Sequence, residues 1–325
     1  MAGRTPPDPV PPARGFSPLD YLFVLRPILL VPVWTMLLAG HYQGQRFLAL
    51  PPDRWRWPQE LWWMVLLYSC LMGAAYIVNQ VFDVETDRLN KKLFLVAEGY
   101  VNRTAVWLEA GILFAFSIIL GFRMFGPGPG LLMAASGALG LLYSVPPFKF
   151  KARPFLDMLA NGFGYGMLAF AAGWVSHGRY SDAVWLAAAP YALAVAAVYL
   201  NTTIPDREPD KATGNVTTGV LLGTAVTAWM ALGLMVLSLA LALALADLVC
   251  AAAAGCALPL FAVAAATGRM KWVMLSYQAG ALALVALVGA IFPVFFALLA
   301  ATFLALRFYH KWRFGMDYPR FADRA

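Results

Sequence analysis

The sequence predicts an all-α protein, a polytopic bundle of nine or ten transmembrane helices. Three observations lead there. Hydrophobic residues fill 61% of the 325 positions and charged residues only 13%, which is too apolar for an ordinary soluble domain. The apolar stretches run to about 20 residues, the length a helix needs to cross a hydrocarbon core. Lysine and arginine gather in alternate connections between those stretches, the asymmetry that sets orientation.

Taken along the chain, residues 1–17 are rich in proline and polar residues. No apolar core follows Arg4 within signal-peptide distance, so this segment reads as a disordered cytoplasmic tail. Candidate spans lie at about 19–40, 61–82, 104–123, 129–145, 155–176, 183–203, 218–244, 247–267, 272–290 and 292–308. With the N-terminus inside, the cytoplasmic loops are 83–103, 146–154, 204–217 and 268–271, each carrying lysine or arginine. The outside loop 41–60 is an exception, with Arg46, Arg54 and Arg56. The last two spans form one apolar run divided only around Gly289-Ala-Ile-Phe-Pro293, and proline can kink a membrane helix without ending it. The C-terminal segment holds Arg307, Lys311, Arg313, Arg320 and Arg324 and belongs inside by the same charge rule, which needs an even number of spans. Ten spans are expected, with nine as the alternative. The domain limits that follow are a tail at 1–17, a membrane domain at 18–310 and a basic cytoplasmic tail at 311–325.

The net charge of +7 is accounted for by cytoplasmic loops, so nucleic-acid binding is set aside. Cys70, Cys250 and Cys256 all lie within apolar runs and read as small hydrophobes rather than a disulfide framework.

Two acidic clusters interrupt this apolar pattern. Asn79-x-x-x-Asp83-x-x-x-Asp87 ends the second span, and Asn201-x-x-x-x-Asp206-x-x-x-Asp210 ends the sixth. The lead-ins are alike, Ala74-Ala-Tyr-Ile-Val-Asn79 and Ala196-Ala-Val-Tyr-Leu-Asn201. Four spans separate them, which preserves orientation and suggests a parallel repeat of four-helix units. A continued helix would stack Asn79, Asp83 and Asp87 on one face, where their repulsion calls for a cation. Mg²⁺ suits such a site because it takes one or two carboxylates and completes its shell with water and phosphate oxygens. Pro205 and Pro209 are expected to break the helix around Asp206 and Asp210.

Two Mg²⁺ patches facing each other would clamp a diphosphate. Lys91, Lys92, Lys149, Lys151, Arg153 and Lys211 lie on the same predicted face to complete the clamp. Arg26, inside the first span, needs an anionic partner to offset its cost in the membrane. Glu85 and Glu208 fall off the shared faces and read as solvated, and Glu109 as paired with a neighbour.

With these residues the chain resembles the UbiA family of membrane-embedded prenyltransferases. The motifs that carry the resemblance are Asn79-Gln-Val-Phe-Asp83-Val-Glu-Thr-Asp87-Arg-Leu-Asn90, Tyr143-Ser-Val-Pro-Pro-Phe-Lys149 and Asp206-Arg-Glu-Pro-Asp210-Lys-Ala-Thr-Gly214, with Arg26-Pro27 in the first span. The resemblance implies a helical bundle around a central cavity and transfer of a polyprenyl group from its Mg²⁺-bound diphosphate to a small-molecule acceptor. By position, Asn79, Asp83 and Asp87 would hold one Mg²⁺, and Asp206 and Asp210 the other. Lys149, Lys151 or Arg153 would meet the diphosphate, while Tyr143 and Asn161 would line the cavity, and Asn201 would join the substrate-binding set. The chain departs from the family pattern at Gln80, at Lys91-Lys92-Leu-Phe-Leu95, at Asn201 and at Asn215, departures that bear on the acceptor and on how the diphosphate is held rather than on the metal.

Aromatic faces at Tyr76, Phe82, Tyr143, Phe163, Tyr165 and Tyr199 would shield a cation-like allylic carbon. The expected acceptor is an aromatic acid or quinone precursor. A glycerol-phosphate-type lipid or a tetrapyrrole is the runner-up, and a secondary transporter is the reading from another class. The expected setting is the bilayer of a bacterial inner membrane, with the site on the cytoplasmic face.

Overall fold

The computed structural model describes residues 15–84, 87 and 95–318. Within them every regular element is helical. The chain runs α1 (Pro18–Phe23), a 3₁₀ turn (Pro27–Leu29), α2 (Leu30–Phe47), α3 (Gln59–Phe82), α4 (Arg103–Phe125) and α5 (Pro127–Ser144). After a second 3₁₀ turn (Phe150–Ala152) come α6 (Leu156–Asn161), a π-helical stretch (Gly162–Ala169) and α7 (Phe170–Val175), which form one continuous rod. Then follow α8 (Ala183–Ala212), α9 (Thr218–Ala244), α10 (Leu248–Thr267), α11 (Met270–Ile291) and α12 (Pro293–Phe314). Among the described residues, eight helices are long and apolar enough to cross a membrane, counting 18–47 as one. The 18-residue α5 and the composite rod 156–175 stand where the fourth and fifth spans were predicted.

Local chemistry sets the boundaries. The Asn102 side chain accepts from the Thr104 and Ala105 N–H groups, and Asp247 from Val249 and Cys250, capping α4 and α10. Gly268 and Gly315 end α10 and α12 in the left-handed conformation. The long apolar run near the C-terminus is two helices. Phe292 leaves helical geometry at φ −118°, ψ 80°, and Pro293 opens α12, where its missing N–H costs nothing.

Three expectations are corrected. The first span is not one helix. Arg26 adopts φ 55°, ψ 62°, at a position where Pro27 disfavours right-handed helix geometry in the preceding residue. The helix resuming at 30 runs on to Phe47, into the predicted outside loop. The sixth span does not break at its prolines. α8 continues to Ala212 with Pro190, Pro205 and Pro209 inside it. Within this stretch the Thr202 hydroxyl donates to the Tyr199 carbonyl at 2.6 Å and the Thr203 hydroxyl to that of Leu200 at 2.7 Å. The first cluster, conversely, is not on one uninterrupted helix. Asp83 is the C-cap of α3, at φ −105°, ψ 9°.

Packing places α2 at the centre. It is buried on nearly every face, from Val33 and Leu37 to His41 and Gln45, and crosses α7 closely. Beside it α3 packs on α4 and α5, and α8 packs on α9 and the π-helical stretch. The main apolar core gathers Leu37, Leu61, Met64, Tyr68, Phe170, Trp174 and Tyr191. α4, α11 and α12 are peripheral and turn Ile112, Leu282, Leu304 and Phe308 outward, as helices facing lipid do. α12 returns to the start of the chain. Buried Asp20 accepts from Arg313 Nε and Nη2 at 3.0 and 2.8 Å and from the Tyr309 hydroxyl at 2.7 Å.

Candidate active site

A partly open cavity of about 280 Å³ lies among the 3₁₀ turn at 27–29, α3, α5 and the rod 156–175. On α3 it takes Tyr68, Met72, Ala75, Tyr76 and Asn79, spaced along one face. Ser136, Gly140 and Tyr143 come from α5, and Asn161, Gly164 and Tyr165 from the rod. The π-helical geometry coincides with the lining residues Gly164 and Tyr165, a common association at functional sites. Arg26 and Lys151 complete the wall.

Hydrogen bonds order this interior. Tyr68 and Ser136 hydroxyls meet at 2.9 Å, and Tyr76 and Tyr165 hydroxyls at 2.7 Å. Tyr76 also donates to the Leu29 carbonyl at 3.1 Å. Asn79 Nδ2 donates to Ser144 Oγ at 3.1 Å, and Asn161 Nδ2 to the Tyr143 hydroxyl at 3.2 Å. Tyr143 in turn donates to Tyr199 at 3.5 Å. Of the aromatic set, Tyr76, Tyr143 and Tyr165 line the cavity, whereas Phe82 and Phe163 are exposed on the outside of the bundle.

The connection between α5 and α6 links the two acidic clusters. The Lys151 ammonium pairs with the Asp83 carboxylate, and Lys149 Nζ donates to Asn215 Oδ1 at 3.0 Å. Burial pulls the Lys151 ammonium below the ordinary lysine range, and the charge of Asp83 pulls it back. On the second cluster, the Thr217 hydroxyl donates to Asp210 Oδ2 at 3.4 Å. Asp206 and Asp210, four residues apart on continuous helix, share a face of α8. Among the described residues no three acidic, histidine or cysteine side chains converge on one point. The oxygen-only character of these side chains still suits Mg²⁺, which needs only one or two carboxylates per ion.

Other predicted residues lie elsewhere. Asn201 has no exposure and turns away toward α11, donating to Ser276 Oγ at 2.8 Å. Arg153 folds back on its own loop, its Nη2 2.5 Å from the Pro147 carbonyl. Lys211 is exposed at the end of α8. Lys91 and Lys92, with Glu85, Arg88 and Asn90, lie outside the described residues, as do residues 1–14 of the N-terminal tail and Arg320 and Arg324. Glu109 does not find the expected neighbour, its Oε2 being buried without a hydrogen-bond partner among the described residues. Sequence reasoning missed Ser144, Tyr68 and Ser136, which read as ordinary small or core residues of apolar runs, and Asp157, which no motif singled out.

The profile of the UbiA prenyltransferase family matches residues 29–268. The chain belongs to the UbiA prenyltransferase family. Among curated members it is 34% identical over 171 residues to a lycopene elongase/hydratase of Haloferax volcanii, covering 50% of this chain and 53% of that one. It is 29% identical over 192 residues to a probable homogentisate phytyltransferase 2 of Oryza sativa subsp. japonica, covering 54% and 50%. The chain thus spans about half the length of these curated relatives. A UbiA homolog from Archaeoglobus fulgidus, solved bound to GPP and Mg²⁺, superposes with a TM-score of 0.65 at 19% identity over 84% of this chain and 99% of that one. One from Aeropyrum pernix K1 superposes at 0.62 with 20% identity, over 79% and 95%. The UbiA fold is therefore shared.

Proposed function

We propose that this UbiA-family protein transfers a prenyl group from a prenyl diphosphate to a small-molecule acceptor within the membrane. One observation carries the reading: residues 149–151 fasten both acidic segments beside a partly open, tyrosine-lined cavity. Arg26, Lys149 and Lys151 supply positive charge for the leaving diphosphate. The C1–O bond breaks with its electron pair on that diphosphate, and C1 forms a bond to the acceptor. Tyr76, Tyr143 and Tyr165 present faces toward the cation-like carbon. Asn79, Asp83 and Asp87 would hold one Mg²⁺, and Asp206 and Asp210 a second, and the metal neutralises diphosphate charge when bound. The Archaeoglobus homolog bound to GPP and Mg²⁺ supports that assignment.

An aromatic acid or quinone precursor is the acceptor we favour. The Arg26 guanidinium lines the cavity and makes no side-chain hydrogen bond or ion pair among the described residues, and a carboxylate would satisfy it. If ring carbon is the nucleophile, the ring proton leaves to restore aromaticity. The Haloferax relative supports a second reading, in which the acceptor is an apolar polyene. The deciding experiment incubates purified protein with labelled prenyl diphosphates and a panel of aromatic acids, quinone precursors, glycerol-phosphate lipids, tetrapyrroles and acyclic carotenoids. Product masses are then read. A prenylated adduct names the acceptor class, and absence of any adduct across the panel removes the reading.

A further inference from the structure

Asp157 is a carboxylate with no exposure, and it belongs to neither acidic cluster. A buried anion must be surrounded by donors or it costs heavily. Here the Thr218 N–H donates to Oδ2 at 2.7 Å, the Met158 N–H to Oδ1 at 2.8 Å, and the Thr218 hydroxyl also to Oδ1. That hydroxyl in turn accepts the Phe155 N–H at 2.7 Å. Phe155 sits at φ 66°, a conformation that bulky side chains avoid and that only surrounding structure can impose.

These bonds have two ends. On one side Thr218 opens α9 directly after the turn that carries Asn215 and Thr217, the partners of Lys149 and Asp210. On the other, the Asp157 carbonyl accepts from Asn161 Nδ2 at 2.8 Å, and Asn161 donates on to Tyr143 in the cavity wall. Asp157 is thus the junction between the second acidic segment and the cavity.

We propose that Asp157 is a positioning residue, a clasp that holds the 210–218 turn against the cavity wall so that Asp210 and Lys149 stay in register with Lys151 and Asp83. Its kinetic consequence rests on the prenyl-transfer reading, whereas the clasp itself does not. A residue that merely capped α9 would affect stability alone. A clasp also sets how well the diphosphate is gripped.

The test uses Asp157→Asn, Thr218→Val and Thr218→Ser in full-length protein in detergent. Asparagine turns an amide N–H₂ toward a donor, and valine deletes the hydroxyl while keeping the shape. Hydrogen exchange of peptides covering 206–220 should quicken about tenfold in Asp157→Asn and Thr218→Val, with α2 and α3 unchanged. KM for the prenyl diphosphate should rise about tenfold with a smaller fall in kcat, since small misplacements in a site are costly. Thr218→Ser should restore both. If Asp157→Asn does not fold, Thr218→Val carries the test. Wild-type exchange at 206–220, or an unchanged KM with only a lower yield of folded protein, overturns the clasp. A wild-type protein with no turnover would sink the activity reading instead, leaving the exchange data to decide the clasp.

Discussion

Gly173→Ala would drive a methyl group into the backbone of the central helix. An ideal Cβ at Gly173 lies 1.7 Å from the Leu37 carbonyl oxygen and 2.9 Å from the His41 nitrogen. Across the same crossing, a Cβ at Gly40 lies 1.8 Å from the Phe170 carbonyl oxygen. Ordinary contacts begin at 3.4 Å, so the backbones of α2 and α7 must move apart at this crossing. A side chain could rotate away from such a clash, but a helix carbonyl cannot. Overpacking a close-packed core costs about 1–3 kcal/mol, and a clash with backbone belongs at the upper end. Replacing glycine in a helix returns about 1 kcal/mol of propensity, which leaves a net loss of about 2 kcal/mol. At about 2–4 °C per kcal/mol for a large domain, the melting temperature falls by about 4–8 °C. Tryptophan fluorescence during heating in detergent reports it, since Trp34 and Trp174 lie in the same core. Gly111 is the control, because a Cβ there meets nothing within 4 Å. Gly111→Ala should hold or raise the melting temperature. If Gly173→Ala melts no lower than this control, the close crossing of α2 and α7 is not as described.

Asp83→Ala and Asp206→Ala should each abolish prenyl transfer while the protein still inserts in membranes, measured by product mass and by membrane fractionation. Retained activity in both variants refutes the two-metal proposal. EDTA should stop turnover and added Mg²⁺ should restore it, so turnover indifferent to chelation would count equally against the proposal. Arg313→Ala strands the Asp20 carboxylate, which has no exposure. Breaking such a pair costs about 3 kcal/mol or more, seen as earlier proteolysis of α12. A wild-type digestion pattern would show that α12 does not depend on the pair.

The span pattern was legible because membrane helices announce themselves by length and apolarity, and the helices at 59–82, 103–125 and 218–244, the last kinked at Gly223, lie within a few residues of prediction. What resisted was local geometry set by distant contacts. Pro205 and Pro209 read as a break in the helix, yet α8 continues through them, packed against α9 and the π-helical stretch. Arg26 read as helical because a single left-handed residue leaves no mark in hydropathy. The roles of Lys149 and Lys151 could be guessed from charge, but their partners lie 66 and 68 residues away. Asp157 finds its partner 61 residues on, and nothing in its own stretch marks it as more than a stray acid in a span.

The same residues explain how the site can be assembled at all. The first acidic segment leaves α3 and the second ends α8, helices separated by three other spans in sequence. Their relation is fixed by the connection between α5 and α6, whose backbone takes left-handed turns at Lys149, φ 40°, and at Phe155, φ 66°. Those two turns aim one short stretch in three directions. Lys149 goes to Asn215, Lys151 to Asp83, and Asp157 to Thr218. A straight continuation from α5 into α6 could satisfy one of these partners but not all three. The strain at Lys149 and Phe155 is therefore offset by contacts that span the bundle. It follows that substitutions in 149–157 should disturb both acidic segments together, whereas substitutions in either segment should leave the other in place.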